Sequence, residues 1–359
     1  MPSADKSARK RRPTIRDVAE QAGVSIATVS RVINNRGTVD NRLVERVRAA
    51  IEEVNYIPNE SGRVLRRRTS NMLGVVMPNL KDQFYVDLLD AFEEQVAAEG
   101  YQVLFCNSRE SRDRERENLR IVLEQNVAGI LFAPVATVPH AVTRIYERSN
   151  LPIVLVDRPS PECPLPWVGT DPDQAGKIFS DHLSELGSQN PLLLSARVEE
   201  SPADERAQAF WKYWNAKGGA GTEVVIDYNS RTALEDVRSA LDRYLQAHDA
   251  IVCTNGAVSL LAYRVLYKEM EISTEDKIFI GFDNPFWRDL SSPLPTVIDQ
   301  QVAHLGEGAA KALVSWIGTE KKPNEADDHQ EPRSCKYRAI LRKGDTSPNL
   351  GTMHSKIGR

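Results

Sequence analysis

The chain has 359 residues, 41% hydrophobic and 27% charged, enough for two or three globular domains with separate cores. It holds no run of eighteen apolar residues that could cross a membrane. Its four cysteines (Cys106, Cys163, Cys253, Cys335) form neither a CxxC pair nor a metal-spaced cluster. Reduced thiols, a cytoplasmic location and no cofactor are therefore expected. The net charge of −4 conceals an asymmetry: residues 1–70 hold 15 basic and 8 acidic side chains, a net of +7, which leaves −11 for the remainder. A basic head on an acidic body points to nucleic acid as a partner of the head alone.

The opening "MPSADKSARKRRP" is charged and has no apolar core, so no secretory signal is expected, and residues 1–13 read as a basic disordered tail. Thr14 can cap a helix, with Asp17 three residues on to close a capping box. Ile15, Val18, Ala19 and Ala22 then share one helical face. Gly23 follows, where a left-handed backbone is cheap. Ser25 can cap a second helix with Val29, Val32 and Ile33 inward. Asp40 can cap a third, with Val39 and Val44 as a hydrophobic staple and Val44, Val47, Ile51 and Val54 as its buried stripe. Three short helices with a tight turn between the first two describe an all-α helix-turn-helix head over residues 14–58. The second helix would be the reader, its outward positions being Ile26, Ala27, Ser30 and Arg31. Arg suits a bidentate contact to guanine, and Ile and Ala suit thymine methyl groups.

The segment "TIRDVAEQAGVSIATVSRVINNRGTVDNRLVERVRAAIEEVNYIPN" resembles the DNA-binding head of LacI/GalR-type transcriptional regulators. The resemblance is specific over about residues 14–68 and continues, more weakly, to about 345. It implies that Ile26, Ala27 and Arg31 take base-reading positions, and that Thr14, Ser25, Thr28, Ser30 and Asn34 sit at or near phosphates. In "NESGRVLRRR" it implies a hinge helix, within 59–70, that forms on operator DNA and wedges Leu65 into the minor groove. Gly62 stands where the family usually has a small helix former, and raises the cost of that helix by about 1 kcal/mol. Arg63, Arg66, Arg67 and Arg68 add positive charge there.

From Met72 the pattern changes. "LGVVMP", "QVLFCN", "GILFAP" and "IVLVDR" read as buried strands, with helices near 84–99, 112–125 and 139–148. After Trp167 comes a second series, "PLLLSAR", "EVVIDY", "AIVCTN" and "KIFIGFD", again with helices between. This is βαβ repetition, hence an α/β body of two parallel-sheet subdomains. The resemblance implies the periplasmic-binding-protein-like fold over 71–345. Its three chain crossings would fall near 166, 292–297 and 325–330, giving one subdomain of about 71–166 and 295–327 and another of about 167–294 and 328–345. Residues 346–359 read as a disordered tail.

Ligands of open α/β sheets bind beyond the carboxyl ends of the strands. Those ends carry Asn79, Ser108, Asp157, Arg158, Asn255 and Asp283, and Arg206 starts the helix after "LLLSAR". Carboxylates and amides can bind several hydroxyls, and Arg forks onto vicinal oxygens. The set suits a sugar, a polyol or a related small polar molecule. The resemblance matches Asp157, Arg206, Asn255 and Asp283 to effector positions, and Trp167 and Phe286 are candidates for an apolar wall. Trp211 and Trp214 read as helix packing. The stripe Val86, Leu89, Phe92 and Val96 of "VDLLDAFEEQVAAEGY" would ordinarily be core. By resemblance, helices of this subdomain also build a dimer face. One helix-turn-helix reads only a half-site, so a homodimer on a pseudo-palindromic double-stranded operator is expected, a tetramer being the larger alternative.

Three rivals fare worse. "GTDPDQAGKI" only glances at a phosphate-binding loop, because six residues separate its glycines and Ile replaces Ser/Thr; "GEG" at Gly306–Gly308 lies in a helical pattern; and no nucleophile or zinc signature appears, so an enzyme is not expected. A solute-binding transport receptor would lack the head. An architectural DNA-binding protein would not need two subdomains around a cleft. The expectation is a repressor, rather than an activator, controlled allosterically by a small polar effector.

Overall fold

The computed structural model describes residues 13–33, 39–56, 70–136, 140–149, 151–158, 165–196, 202–283, 286–318 and 334–347, together with Val138 and Cys163. The chain divides into two compact units, with the boundary between Ser70 and Asn71.

The first unit is helical: α1 (Ile15–Ala22), α2 (Ile26–Ile33) and α3 (Asn41–Glu53). Its core is the set expected from helical spacing. Val18, Val29 and Val47 are fully buried, and Ile15, Val24, Ile33, Val39, Val44, Ile51 and Val54 pack around them. The Thr14 N–H and Oγ1 donate to Asp17 Oδ2 at 2.5 and 2.8 Å. Ser25 Oγ accepts from the Thr28 N–H, and Asp40 Oδ1 from the Arg42 N–H. These bonds satisfy amide groups that a helix start leaves without intrahelical partners.

The second unit holds two six-stranded sheets. The first runs β2 (Gln102–Asn107), β1 (Met72–Met77), β3 (Gly129–Phe132), β4 (Ile153–Val156), β5 (Trp167–Thr170) and β11 (Cys335–Tyr337), all parallel. The second runs β7 (Thr222–Ile226), β6 (Pro191–Ala196), β8 (Ala250–Cys253), β9 (Ile278–Phe282), β10 (Thr296–Asp299) and β12 (Ile340–Arg342). There β12 pairs antiparallel with β10. Near-continuous apolar runs such as "GILF" and "IVLV" are buried on every residue, as parallel strands covered on both faces must be. The covering helices are α4 (Gln83–Ala98), α5 (Arg112–Glu124), α6 (His140–Ser149), α7 (Pro172–Leu186), α8 (Pro202–Ala216), α9 (Ala233–Tyr244), α10 (Gly256–Arg264) and α11 (Val302–Ile317). In α8, Trp214 is buried with its indole N–H on the Ala220 carbonyl, and Trp211 donates to Glu223.

The crossings between subdomains, or lobes, differ from the sequence expectation. Trp167–Thr170 pairs with β4 and so belongs to the first sheet, which puts the first crossing after Thr170 rather than near 166. The second follows Asp299, because β10 pairs with β9. The third lies at Arg338–Ala339, because Cys335–Tyr337 pairs with β5 in the first sheet while β12 joins the second. Strand pairing across long sequence gaps fixes these points, and a local pattern does not carry it. The body also reaches beyond 346. Thr346 is fully buried, accepts the Phe279 N–H at 2.7 Å and donates its hydroxyl to the Phe279 carbonyl at 2.8 Å.

After its crossing, α11 returns to pack on α4. A Cβ on Gly306 would stand 2.5 Å from the Leu88 carbonyl oxygen and 2.9 Å from Ala91 Cβ. Glycine thus lets the two backbones touch, and "GEG" is a packing feature.

Candidate functional site

In the head, Ile26, Ala27 and Arg31 are exposed on α2, while Val29 and Val32 of the same helix are buried. Ile26 is 44% exposed, an aliphatic side chain that faces water unless something covers it. Thr28 and Ser30 are half-buried, and the Ser25 and Thr28 hydroxyls lie 2.9 Å apart. The α1–α2 turn is held by Gly23, at φ 59°, and by Arg46 of α3, which donates to the Ala22 carbonyl at 2.6 Å. Arg46 was not anticipated from the sequence, where it looks like one more basic residue. Asn34, Gly62, Arg63, Leu65 and Arg66–Arg68 lie outside the described residues.

In the body, the strand ends of both sheets meet at one inner cavity. Asp157 and Arg158 come from the first lobe. Arg206, Asn255 and Asp283 come from the second, joined by Asp82, Phe84, Tyr85, Tyr228 and Gln300. The cavity measures about 30 Å³. Asp157 accepts from the Tyr85 hydroxyl at 2.7 Å. Asp283 accepts from Gln300 Nε2 at 2.5 Å. Arg206 is buried; its Nε donates to the Thr254 carbonyl at 2.9 Å, and its guanidinium lies 3.9 Å from the centroid of the Phe282 ring. Asn255 spends its Oδ1 on the N–H groups of Ala257 and Val258, capping α10. Arg158 is 3% exposed and donates to the Pro134 and Val135 carbonyls. It also stands 3.6 Å from Glu110. Much of its hydrogen-bonding capacity therefore holds the loop after β3.

Burial dominates the titration of this cluster. It pushes Asp283 up to about 7, with Asp82 adding to the rise and Arg206 and the Gln300 bond opposing it. It pushes Asp82 up to about 6, against the Phe84 N–H bond and Arg206, with Asp157 and Glu110 adding to the rise. Arg206 is lowered by its own burial, which the surrounding carboxylates resist. Desolvation disfavours whichever form is charged.

Four candidate residues lie elsewhere. Asn79 lines the adjoining mouth, where its Nδ2 donates to Asn229 Oδ1 at 3.0 Å and ties the lobes together. Trp167 is buried in the first lobe's core and packs over its neighbour Gly169, because β5 belongs to that sheet. It is no cleft wall. Phe286 is 68% exposed and lines an outer groove of about 1070 Å³ between α4, α10 and α11. That groove is far larger than the inner cavity and shares Asp82, Phe84 and Asp283 with it, but Asp157, Arg158 and Arg206 line the inner cavity and not the groove. Ser108 is buried and bonded to Asn118.

Asp82, Tyr85, Tyr228 and Gln300 were missed. Asp82 caps α4, accepting the Phe84 N–H at 3.1 Å, and sits in the loop after β1, a few residues past the strand end. Reading each loop through to its helix cap would have found it.

Residues 70–339 match the family described as periplasmic binding proteins and sugar binding domain of LacI family. Residues 14–59 match that described as bacterial regulatory proteins, lacI family. The chain belongs to the LacI family. The ribose operon repressor of Halalkalibacterium halodurans is 29% identical over 336 residues, 94% of this chain and 99% of that protein. The transcriptional repressor PurR of Photobacterium profundum is 30% identical over 315 residues, 85% and 92% of the two chains. The lac repressor dimer solved with operator and the anti-inducer ONPF shares the fold, with a TM-score of 0.80, 24% identity, and coverage of 94% of this chain and all of that one. This LacI-family regulator is a DNA-binding transcriptional repressor with an allosteric ligand-binding body.

Proposed function

We propose that the regulator binds a pseudo-palindromic operator as a homodimer, reading bases with Ile26, Ala27 and Arg31, and that a small polyhydroxy effector in the inner cavity shifts its operator affinity. The observation that carries this reading is the convergence of Asp157, Arg206 and Asp283, drawn from two lobes, on one cavity of a chain that also bears a helix-turn-helix. The named relatives support a sugar or sugar-like effector, since they include ribose and sucrose operon repressors. The basic head gains operator affinity by releasing counterions, and the acidic body gains nothing from DNA. Thr14, Ser25, Thr28, Ser30 and Asn34 serve as phosphate contacts, and Arg63 and Leu65 act in the hinge.

The mechanism is a lobe movement. A monosaccharide cannot enter a cavity of 30 Å³, so the lobes separate for entry and the Asn79–Asn229 bond breaks. Closure on the ligand then favours one arrangement of the dimer, and whatever ligand does to operator affinity, operator does to ligand affinity. The partner copy covers exposed apolar side chains of the body, among them Val86 on α4, Leu260 on α10 and Phe286 beside it. Phe92 and Val96 of the same α4 stripe serve the core instead. The regulator acts in the cytoplasm, where its operator is, and by binding rather than catalysis.

The test is an operator titration with and without each of a panel of sugars and polyols, beside a thermal-shift screen of the same panel. A compound specific to the folded state raises stability. A compound that raises stability by occupying the cavity yet leaves operator affinity unchanged would count against the allosteric reading.

A further inference from the structure

The inner cavity holds more carboxylates than guanidinium groups. Asp82, Asp157 and Asp283 face Arg158 and Arg206. The imbalance is sharper than the count suggests. Arg158 is committed to the carbonyls of Pro134 and Val135 and stands against Glu110. Asp157 is held by the Tyr85 hydroxyl. What remains is one carboxylate from each lobe, Asp82 and Asp283, with Arg206, whose Nε is spent on the Thr254 carbonyl, and with the Nε of Arg158, 3.9 Å from Asp157. Lys81 and Arg231 line the adjoining mouth and not the inner cavity. Glu205 flanks Arg206 on the exposed side of α8, and Asp299 stands behind Asp283.

We propose that Asp82 and Asp283 act together as a charge filter, so that the effector carries no negative charge and is an uncharged polyol or an amino polyol that donates hydrogen bonds to both lobes' carboxylates at once. This rests on the effector reading of the cavity and deepens it.

Three observations support the filter. Among the described residues each of the two carboxylates accepts one bond from the protein, Asp82 from the Phe84 N–H at 3.1 Å and Asp283 from Gln300 at 2.5 Å. An ionised carboxylate has about four lone-pair positions, so each keeps acceptor capacity for a ligand. Burial raises both carboxyls, Asp82 up to about 6 and Asp283 up to about 7, and the Asp82 charge adds to the rise of Asp283. A phosphate or carboxylate on the ligand would add a further negative charge to a poorly solvated site, whereas a hydroxyl or ammonium donor relieves it. Finally, Arg158 lines the cavity with a buried Nε that has no hydrogen-bond partner among the described residues. A neutral ligand's ring or hydroxyl oxygen can fill it, so the cavity offers a donor for such an oxygen beside two acceptors for hydroxyls.

The experiment is calorimetry on the full chain with matched compounds: D-ribose against D-ribose 5-phosphate, and D-glucose and 2-amino-2-deoxy-D-glucose against D-glucose 6-phosphate and D-gluconate. The expected result is that an uncharged or amino compound binds at least about tenfold more tightly than its phosphorylated or carboxylated counterpart, the scale of one pKa unit. Binding measured near pH 6.5 in two buffers of different ionisation enthalpy should also release protons, because ligand donors favour the ionised form of both carboxyls and lower their pKa values. Asp82→Asn and Asp283→Asn are each expected to narrow the discrimination and reduce the proton release, and two isosteric variants guard against one that fails to fold. A phosphorylated or carboxylated compound that binds the unaltered chain as tightly as its parent overturns the filter. Unchanged discrimination in both folded variants overturns the assignment to these two residues. Operator affinity is the separate readout: a compound bound with the expected selectivity but silent at the operator upholds the filter and sinks the allosteric reading.

Discussion

Asp157 and Asp283 hold the same station in the two lobes. Each follows the fourth strand of its sheet, counted from β2 in one and β7 in the other. Each has φ of 66°, and each donates its N–H to the next strand, Asp157 to Val168 at 3.0 Å and Asp283 to Ile298 at 2.8 Å. A left-handed backbone is costly for most residues but open to Asp. The two sheets thus present carboxylates to the cleft by one backbone device used twice.

Truncating Asp283 or Arg206 to Ala should therefore cost the effector response. Asp283 joins the ligand to the second lobe, and Arg206 is the buried cation that offsets the carboxylates. The dissociation constant of the identified sugar, measured by calorimetry, should rise by about tenfold or more, as for a lost charged hydrogen bond of about 1.5–3 kcal/mol. A variant that still responds at the wild-type sugar concentration would remove that residue from the site.

Arg31→Ala should weaken specific operator binding by about 1–3 kcal/mol and relax preference at one base pair. Gel-shift titrations on operator and on random DNA separate the roles. Equal losses on both would make Arg31 a phosphate contact.

Asp283 also gives a pH dependence with a definite sign. Its carboxyl is raised from 3.8 to about 7 in the folded chain, first by burial. The folded state therefore binds the proton more tightly than the unfolded one. The stability it contributes is fully present below about pH 4 and is lost as pH rises through 7. Asp283→Asn should raise the melting temperature at pH 8, by less than about 4 kcal/mol in stability, and should flatten its decline between pH 6 and 8. Melting curves of both chains across that range are the measurement. A variant less stable than wild type at pH 8 would mean that the Asp283 charge is well compensated.

Gly306→Ala should destabilise the body by about 1–3 kcal/mol, the usual cost of forcing volume into a packed contact. The added methyl group meets a backbone carbonyl rather than the end of a flexible side chain. Urea unfolding would show it. An unchanged midpoint would mean that α11 can lift off α4 freely.

The sequence alone was enough for the head's three helices, their caps and their inward valines, because each depends on residues within four positions of one another. The same holds for the eight apolar strands that it marked and the helices between them. Strand ends led to Asp157, Arg158, Asn255 and Asp283, and the helix start after "LLLSAR" to Arg206, all of which line one cavity, since side chains that follow a parallel strand emerge at its carboxyl edge. Only the tertiary structure decided which sheet received Trp167–Thr170 and Cys335–Tyr337, because strand partners there are separated by up to 167 residues. That choice sent Trp167 into a core and moved every crossing between lobes. Tertiary structure also brought Asp82 to Asp283, a pair from opposite lobes whose raised pKa values arise from burial that no local pattern encodes. A capping aspartate and a strand-end aspartate look ordinary in sequence; only the folded body places both on the wall of one cavity.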